Sequence, residues 1–559
     1  MKMYFDKVKE LVKKALPLEL SSQEIQLEIP KDLSLGDIAL PCFQFAKELR
    51  KAPQLIAKEI SEKINPDGLI SKVEAVGPYV NFYLNKSAVA LDLIEKIKDN
   101  SLIPKTKNEK IMIEFLSPNL NKPLHIGHIR NGSLGESTSK ILESLGNKVI
   151  RANLYNDRGM GVSETIYAYL YLSDKKEPDT KPDHFVGNLY VLFQKKKKED
   201  PSLEEKAREI LKRFEQNDPE IISVWKKLRK WVMEGYEETY KKFGYNFDVI
   251  YYESEIYEKG KDIVLDALKK GIFIKEDNAV VAPLEKYGLP NKTVLKSDGT
   301  TLYITQDIYL AKKKFEDFDL DKSIYVVASE QNLHFVQLFR ICEMLGIAPV
   351  EKMHHLSYGM VLLPSGKMKS REGTVVDADE FFDEIKQLAL QELSKRGKND
   401  EELAKKIALS AINFYMLKID PKKDFVFNPE ESLSFEGQSG VYVQYTHARI
   451  SSLIRKYEEI FRKLDLNKAT IKDLTNEEEK MISLLTQFPN TVEEAATQYK
   501  PSIIANYLIK ISETFNSYYH STPILNSNNI ETRILLTLII KKVIEQGLQL
   551  LNIEPLEEI

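Results

Sequence analysis

The stretch His125-Ile126-Gly127-His128 constrains the fold of this chain most, because of what stands on either side of it. The apolar run Ile111-Met112-Ile113-Glu114-Phe115-Leu116 precedes it and reads as a buried strand. Ile129 to Leu145 follows with the periodicity of a helix and stops at Gly146, a residue suited to the position just past a helix end. Val149 to Tyr155 is a second apolar run. Strand, loop, helix and strand in that order predict a βαβ unit. Two imidazoles and a glycine then sit where a parallel strand hands over to a helix N-terminus. Backbone N–H groups and the helix dipole favour anions there. An imidazole donates a hydrogen bond to phosphate, and a glycine lets a flat ring approach the backbone closely. The plainer alternative is a helix-capping loop with two satisfied histidines.

At 559 residues the chain has room for three or four domains. Residues 1–105 read as an α+β module: an amphipathic helix, a turn at Gly36-Asp37, helices over Ile38 to Leu49 and Ala52 to Ile64, and a strand in the alternating run Tyr79 to Tyr83. The charged stretch Lys105 to Lys110 reads as a linker. Residues 106–165 begin a parallel α/β domain that resumes over 296–378, and residues 166–295 read as an insertion. The insertion carries a helical stretch from Pro201 to Phe243, and Tyr251 to Ser254 leads into another helix. Beyond it, Thr301 to Thr305 reads as a short strand, Ile324 to Ala328 as a strand, Asn332 to Leu345 as a helix closed by Gly346, and Leu356 to Leu363 as a strand. Alternating strands and helices predict a doubly wound sheet. Over residues 379–559 helical periodicity dominates, with capping-box spacings at Thr475/Glu478 and Thr491/Glu494, so an all-helical domain is expected.

Composition narrows the class. Cys42 and Cys342 are the only cysteines, which excludes a disulfide framework and a thiolate zinc cluster. Met1 to Leu20 is too charged for a secretory signal, and Ile534 to Ile540 is too short to span a bilayer. A cytoplasmic protein without a membrane partner is expected. The net charge of −4 does not argue against nucleic acid, since a basic face can sit on a neutral protein. The lysine run Lys195 to Lys198 reads as a solvated face.

In an open α/β sheet the strand ends face a ligand crevice. Glu114, Ser117 and Asn119 lie on or just after the first strand, Asn153 and Asp157 at the end of the second, and Gln331 after the strand ending at Ala328. Tyr303 and Asp307 stand four apart and share a face if the chain is helical there, and a carboxylate beside an aromatic ring suits a planar cation. Leu363 to Gly373 is a basic, glycine-bounded loop whose Lys367, Lys369 and Arg371 would neutralise a triphosphate. Each feature taken singly has a bland alternative: a capping polar residue, a core tyrosine, an exposed charged turn.

Together these residues carry a resemblance. Ser117 through His128 resembles the ATP-binding motif of class I aminoacyl-tRNA synthetases, and Ser117-Pro118-Asn119 with Lys122-Pro123 resembles the arginyl enzymes in particular. So do Ser297 to Tyr303 with Asp307, Glu330 to Phe335, Tyr358 to Val361, Ser434 to Gly437, and Tyr442 to Ile450. Gly36-Asp37-Ile38-Ala39 and Gly77 to Phe82 resemble the N-terminal module of that family. The match runs through nearly the whole chain in order. It implies a Rossmann-like catalytic domain with an N-terminal tRNA-contacting module and a helical anticodon-binding domain. It also implies a monomeric arginine–tRNA ligase with L-arginine, ATP and tRNA(Arg) as partners, no DNA, and magnesium accompanying ATP.

By the same resemblance, Glu114, Tyr303 and Asp307 would hold the guanidinium. Ser117 belongs to the same substrate pocket, and Asn119, Gln331 and His125 would hold the amino acid's other end. His125, Gly127 and His128 would contact ATP, with Met368 and Ser370 from the basic loop. Lys122, Lys367, Lys369 and Arg371 would supply charge, and the resemblance leaves open how they divide it: the loop reads Lys367-Met368-Lys369-Ser370-Arg371 where the class usually has Lys-Met-Ser-Lys-Ser, and Lys122 is thought to compensate in arginyl enzymes. Near Asp157 the family usually has tryptophan before glycine, where this chain has Arg158-Gly159, so no precise role transfers to Asn153 and Asp157. Tyr442, Tyr445 and Arg449 would face tRNA. No protein ligand for a metal is assigned. The rival readings are a class I enzyme or nucleotidyltransferase of other specificity, and a synthetase-like protein that only holds tRNA.

Overall fold

The computed structural model describes residues 2–16, 25–30, 32, 35–362 and 376–559. The βαβ unit forms as its pattern predicts. Strands β4 (Lys110–Glu114) and β5 (Lys148–Tyr155) pair in parallel, joined by the helix Ile126–Ser144. Before them, β1 (Ile38–Pro41), β2 (Ile70–Val76) and β3 (Tyr79–Leu84) make a small antiparallel sheet in the order β1-β3-β2. Here one expectation is overturned. Ile38 to Leu49 is not one helix: Ile38–Pro41 pairs with β3, and only the short turns Cys42–Phe45 and Ala46–Leu49 follow. A four-residue apolar run fits either element, and pairing with Tyr79–Phe82 decides for a strand, which Pro41 ends.

After β5 come β6 (Val249–Tyr252), β10 (Lys322–Ala328) and β11 (Met353–Tyr358). With β4 and β5 they build the central sheet, in the order β11-β10-β4-β5-β6 and parallel throughout. Between β6 and β10, strands β7 (Ile274–Glu276), β8 (Ala279–Ala282) and β9 (Lys292–Leu295) form a separate antiparallel sheet. The chain runs outward from β4 through β5 to β6, then returns to β10 on the other side. The order therefore reverses between β4 and β10, and a crevice opens at their carboxyl ends.

The sheet corrects further expectations. Val249–Tyr252 lies within the stretch read as insertion, yet it is the edge strand of the central sheet. The Pro201-to-Phe243 stretch is two helices, Leu203–Glu215 and Pro219–Phe243, and the latter is started by Pro219 and capped by Asp218. The lysine run ends the helix Pro182–Glu199. Thr301 makes only an isolated bridge to Leu295, and Tyr303–Phe318 is a helix from its first aromatic residue. Of Leu356 to Leu363, the residues to Tyr358 stay in the sheet, whereas Val361–Leu362 pairs with Phe425–Val426. Leu363 itself falls outside the described residues.

From Ala378 onward the described chain is almost wholly helical. The capping box at Thr475 and Glu478 is formed. Thr491 starts no helix: it sits inside Phe488–Gln498, which carries Pro489 in its first turn, and its hydroxyl bonds back to the Gln487 carbonyl. Asp37, in the N-terminal module, accepts hydrogen bonds from Leu84 N (2.8 Å) and from the Ser483 hydroxyl (2.8 Å), tying that module to the helical region.

The helix Ile126–Ser144 is buried along most of its length. It lies against the sheet at Gly135, where an added Cβ would stand 2.3 Å from the Phe115 ring. Gly135→Ala should therefore destabilise the protein by about 1–2 kcal/mol, overpacking outweighing a helix-propensity gain of about 1 kcal/mol. A urea midpoint equal to the parent's would show that the helix can back away at no cost.

Candidate functional site

A cavity of about 1110 Å³ opens at the carboxyl ends of β4 and β10. Its walls bring together residues far apart in sequence: Glu114, Ser117 and Asn119 from the end of β4, His125, Gly127 and His128 from the helix start, Tyr303 and Asp307 from the helix Tyr303–Phe318, and Gln331 from the turn after β10. All nine were candidate site residues in the sequence. Glu330, His334, Tyr358 and Met360 join them from stretches that the sequence marked without giving them a role, and Asn131 and Asn156 join unanticipated.

The chain leaves β4 under strain. Leu116 and Ser117 both have positive φ (70° and 47°), a conformation non-glycine residues hold only when their surroundings compel it. Two asparagines compel it here. Asn131 Oδ1 accepts from Leu116 N (2.6 Å), and Asn153 Oδ1 accepts from Ser117 N (3.0 Å). Asn131 also donates to the Val326 carbonyl (2.8 Å) and the Tyr358 hydroxyl (3.1 Å), so one amide joins β4, β10 and β11 at the crevice. This also locates Asn153: it is buried, acts on the backbone from behind, and does not line the cavity. Asp157 is likewise buried, accepting from Ser254 N (2.8 Å) and Oγ (2.7 Å) with Arg229 at 3.3 Å. Both were expected at the crevice edge, and both serve as internal hydrogen-bond partners.

At the helix start the two imidazoles cap the backbone. His125 Nδ1 accepts from Gly127 N (3.1 Å), and His128 Nδ1 accepts from His125 N (3.1 Å). An accepting Nδ1 fixes each neutral ring as the tautomer with its proton on Nε2, leaving Nε2–H as the donor. Burial, and then the nearby Lys122 charge, lower the His125 pKa to about 4. Burial also lowers His128 well below the usual histidine range, helped by His125 and Lys122. The rings lie 3.8 Å apart between centroids. A Cβ on Gly127 would stand 3.0 Å from the His125 ring, which is why glycine separates them. Lys122 itself is half-buried and is not part of the cavity wall.

Across the cavity the groups are acidic. Glu114 and Asp307 are both partnered: the buried Lys314 ammonium is 2.5 Å from Glu114 Oε2, and His334 Nε2 is 2.7 Å from Asp307 Oδ2. Tyr303 is 73 % exposed, its phenol open to a ligand. Lys314 was missed in the sequence because it ends a run of three lysines, although its spacing of seven from Asp307 puts it on the same helix face.

The segment 363–375 lies outside the described residues, and with it Lys367, Met368, Lys369, Ser370 and Arg371. Its neighbours Leu362 and Val376 both line the cavity. Beyond Val376, Ala378 N donates to the Leu124 carbonyl (2.9 Å), and the Val376 carbonyl accepts from Ile126 N (3.1 Å). Tyr442, Tyr445 and Arg449 sit elsewhere, half-buried on the helix Gly440–Ile460. Asn516 donates to the Tyr442 hydroxyl (3.0 Å) and accepts from Arg449, whose guanidinium lies 4.8 Å from the Tyr445 ring centre. Asp183, His184 and Asp379 place metal-ligand-type atoms within 4.8 Å of one another, but the Lys181 and Lys242 ammonium groups already pair with Asp379.

Residues 92–429 match the family model described as tRNA synthetases class I (R), catalytic domain. The chain belongs to the class I arginyl-tRNA synthetase family. Residues 3–84 match the arginyl tRNA synthetase N terminal domain, and 443–559 the DALR anticodon binding domain. The arginine–tRNA ligase of Treponema denticola is 41 % identical over 96 % of this chain and 95 % of its own. That of Parabacteroides distasonis is 37 % identical over 97 % of each. The structure of Thermus thermophilus arginyl-tRNA synthetase superposes with a TM-score of 0.81 at 27 % identity, covering 99 % of this chain and 100 % of that one.

The depressed imidazoles carry a pH prediction. In the unfolded chain His125 takes up a proton near pH 6.5, whereas the folded site refuses it until about pH 4. Stability attributable to this ring is therefore lost as pH falls through that window. Thermal melts of His125→Asn should lose less stability than the parent between pH 6.5 and 4.5, and parallel curves would show that burial does not exclude the proton.

Proposed function

We propose that the chain joins L-arginine to tRNA(Arg) in two steps driven by ATP. The observation that carries this reading is one cavity with two electrostatic halves: neutral imidazole donors at a helix N-terminus on one side, and carboxylates with a phenol on the other. A nucleotide suits the first half, because Nε2–H groups and the helix dipole meet phosphate oxygens. A guanidinium suits the second, since it has five donors and no acceptor and matches Glu114, Asp307 and Tyr303. Ser117, Asn119, Gln331 and His125 are left to orient the α-amino and carboxylate groups.

In the first step a carboxylate oxygen of arginine attacks the α-phosphorus, the bond to the bridging oxygen breaks, and pyrophosphate leaves. In the second a ribose hydroxyl at the tRNA 3′ end, the 2′-OH in class I, attacks the activated carbonyl and AMP departs. The protein acts by positioning and by charge stabilisation. His125 and His128, with Gly127 admitting the ring, serve the phosphates. Lys122, Lys367, Lys369 and Arg371 offset the charge that grows on the leaving pyrophosphate, and Met368 and Ser370 contact the nucleotide. Magnesium arrives on the triphosphate. Glu114 and Asp307 each have one oxygen engaged by a protein partner and serve the guanidinium half, so no protein ligand is assigned to it.

Residues 1–105 and 379–559 act as the tRNA-binding modules, the latter through a face that includes Tyr442, Tyr445 and Arg449. Residues 106–165 with 296–378 form the catalytic domain, and 166–295 its insertion apart from Val249–Tyr252, which returns to the central sheet. The protein works as a monomer in the cytoplasm. No helix among the described residues is long and apolar enough to cross a membrane.

Charging of a purified tRNA pool with each amino acid in turn tests the reading, and acceptance of any amino acid other than arginine would overturn it. Asp307→Ala should abolish arginine-dependent pyrophosphate exchange while tRNA binding by filter retention persists. Full exchange activity would remove Asp307 from the pocket. His128→Ala should slow activation about tenfold to a thousandfold, the scale of a lost preorganised donor. An unchanged rate would free His128 from phosphate contact.

A further inference from the structure

The two carboxylates of the guanidinium half are each held from behind. Lys314 is fully buried, with a side chain 0 % exposed, and its ammonium grips only one oxygen of Glu114. The same ammonium lies 4.2 Å from the ring centre of Tyr325, the residue registered opposite Glu114 on β10. On Asp307 it is again one oxygen, Oδ2, that is taken, by His334. Phe335 and His355 brace that side: the His334 ring meets Phe335 edge-on at 5.4 Å, and Phe335 stacks on His355 at 4.4 Å.

A buried ion pair is a poor device for stability alone. Desolvating a lysine and a glutamate is costly, and an apolar pair of the same size usually serves the core as well or better. Lys314 instead sits seven residues from Asp307 and eleven from Tyr303 on one helix, the face that looks into the cavity. Its effects there are directional and electrostatic. One Glu114 oxygen is occupied, so the carboxylate cannot turn. Of the charges that Glu114 and Asp307 bring, Lys314 offsets one, so this pair faces a guanidinium with a net charge of about the opposite size.

We infer that Lys314 and His334 are positioning residues for recognition of the arginine side chain, each tying down one oxygen of its carboxylate so that the other is presented to the guanidinium fork. This rests on the reading that Glu114 and Asp307 receive that side chain. Two oxygens held at fixed positions match a planar fork. A single ammonium, as on lysine, satisfies one and leaves the other desolvated and unpaired.

The test uses the full-length protein in arginine-dependent pyrophosphate exchange with tRNA present. Lys314→Met keeps the length and removes the charge, and it should raise the arginine KM about 10- to 100-fold while the ATP KM stays within about threefold. Lys314→Arg, which keeps a buried cation, should recover most of the loss. His334→Ala should raise the arginine KM in the same selective way, and His334→Gln, which keeps a donor at similar reach, should recover it. An arginine KM unchanged in folded Lys314→Met overturns the inference. So does an equal rise in both KM values together with a lowered melting midpoint, which would mark Lys314 as scaffold only. Asp307→Asn separates the two levels. If it leaves the arginine KM unchanged, the underlying pocket assignment fails. If it raises KM while Lys314→Met does not, only the positioning role fails.

Discussion

The helix Ile126–Ser144 is surrounded by protein on nearly every side, and that confinement organises the molecule. A helix so enclosed would ordinarily be apolar all round. This one carries Arg130, Asn131, Ser133 and Ser137 in its buried length, and each hydrogen-bonds to a different neighbour. Asn131 holds the strand ends. Ser133 donates to Asn413 Oδ1 (2.9 Å), Ser137 to the Leu550 carbonyl (2.8 Å), and the half-buried Lys140 to Asn552 Oδ1 (2.7 Å), all in the helical region. The first turn, with its capping imidazoles, is thus held by the whole protein rather than by a loop. Donors fixed before the ligand arrives need no reorganisation during reaction, which is the condition under which they are worth most.

The opposed halves of the cavity follow from the same confinement. Burial, with the nearby Lys122 charge, keeps both rings uncharged while backbone N–H groups occupy their Nδ1 atoms, so that half attracts anions without presenting a titrating cation of its own at neutral pH. The carboxylate half is set by one other helix, Tyr303–Phe318, which contributes a phenol, a carboxylate and a buried ammonium from a single face. The polarity of the cavity is then a property of two helices packed against one sheet.

Much of this was legible in the chain because it rests on long, strongly patterned segments. The run from Ile111 to Tyr155 alternates strand, helix and strand with a glycine stop, and nine wall residues of the cavity were readable: four from strand ends, three from a helix start and two from their four-residue spacing. What escaped reading was short or dependent on distant partners. Ile38–Pro41 and Val249–Tyr252 are four-residue strands whose identity is decided by the neighbour they pair with. Tyr303 begins a helix where β-branched threonines suggested a strand. Asn153 and Asp157 were placed at the right end of the right strand, but only packing tells which way a buried polar side chain turns. Lys314 looks like its solvated neighbours Lys312 and Lys313 until the sheet covers it.

Arg130 adds one more consequence. Its buried guanidinium reaches the carbonyl oxygens of Met360 on the cavity wall and of Asp420, Pro421 and Lys423 at the root of the helical region. Four main-chain oxygens from two separate segments share one rigid, planar hub. The cavity's rim and the root of the distal helices are thereby pinned to the same side chain, so neither can move without loading bonds held by the other.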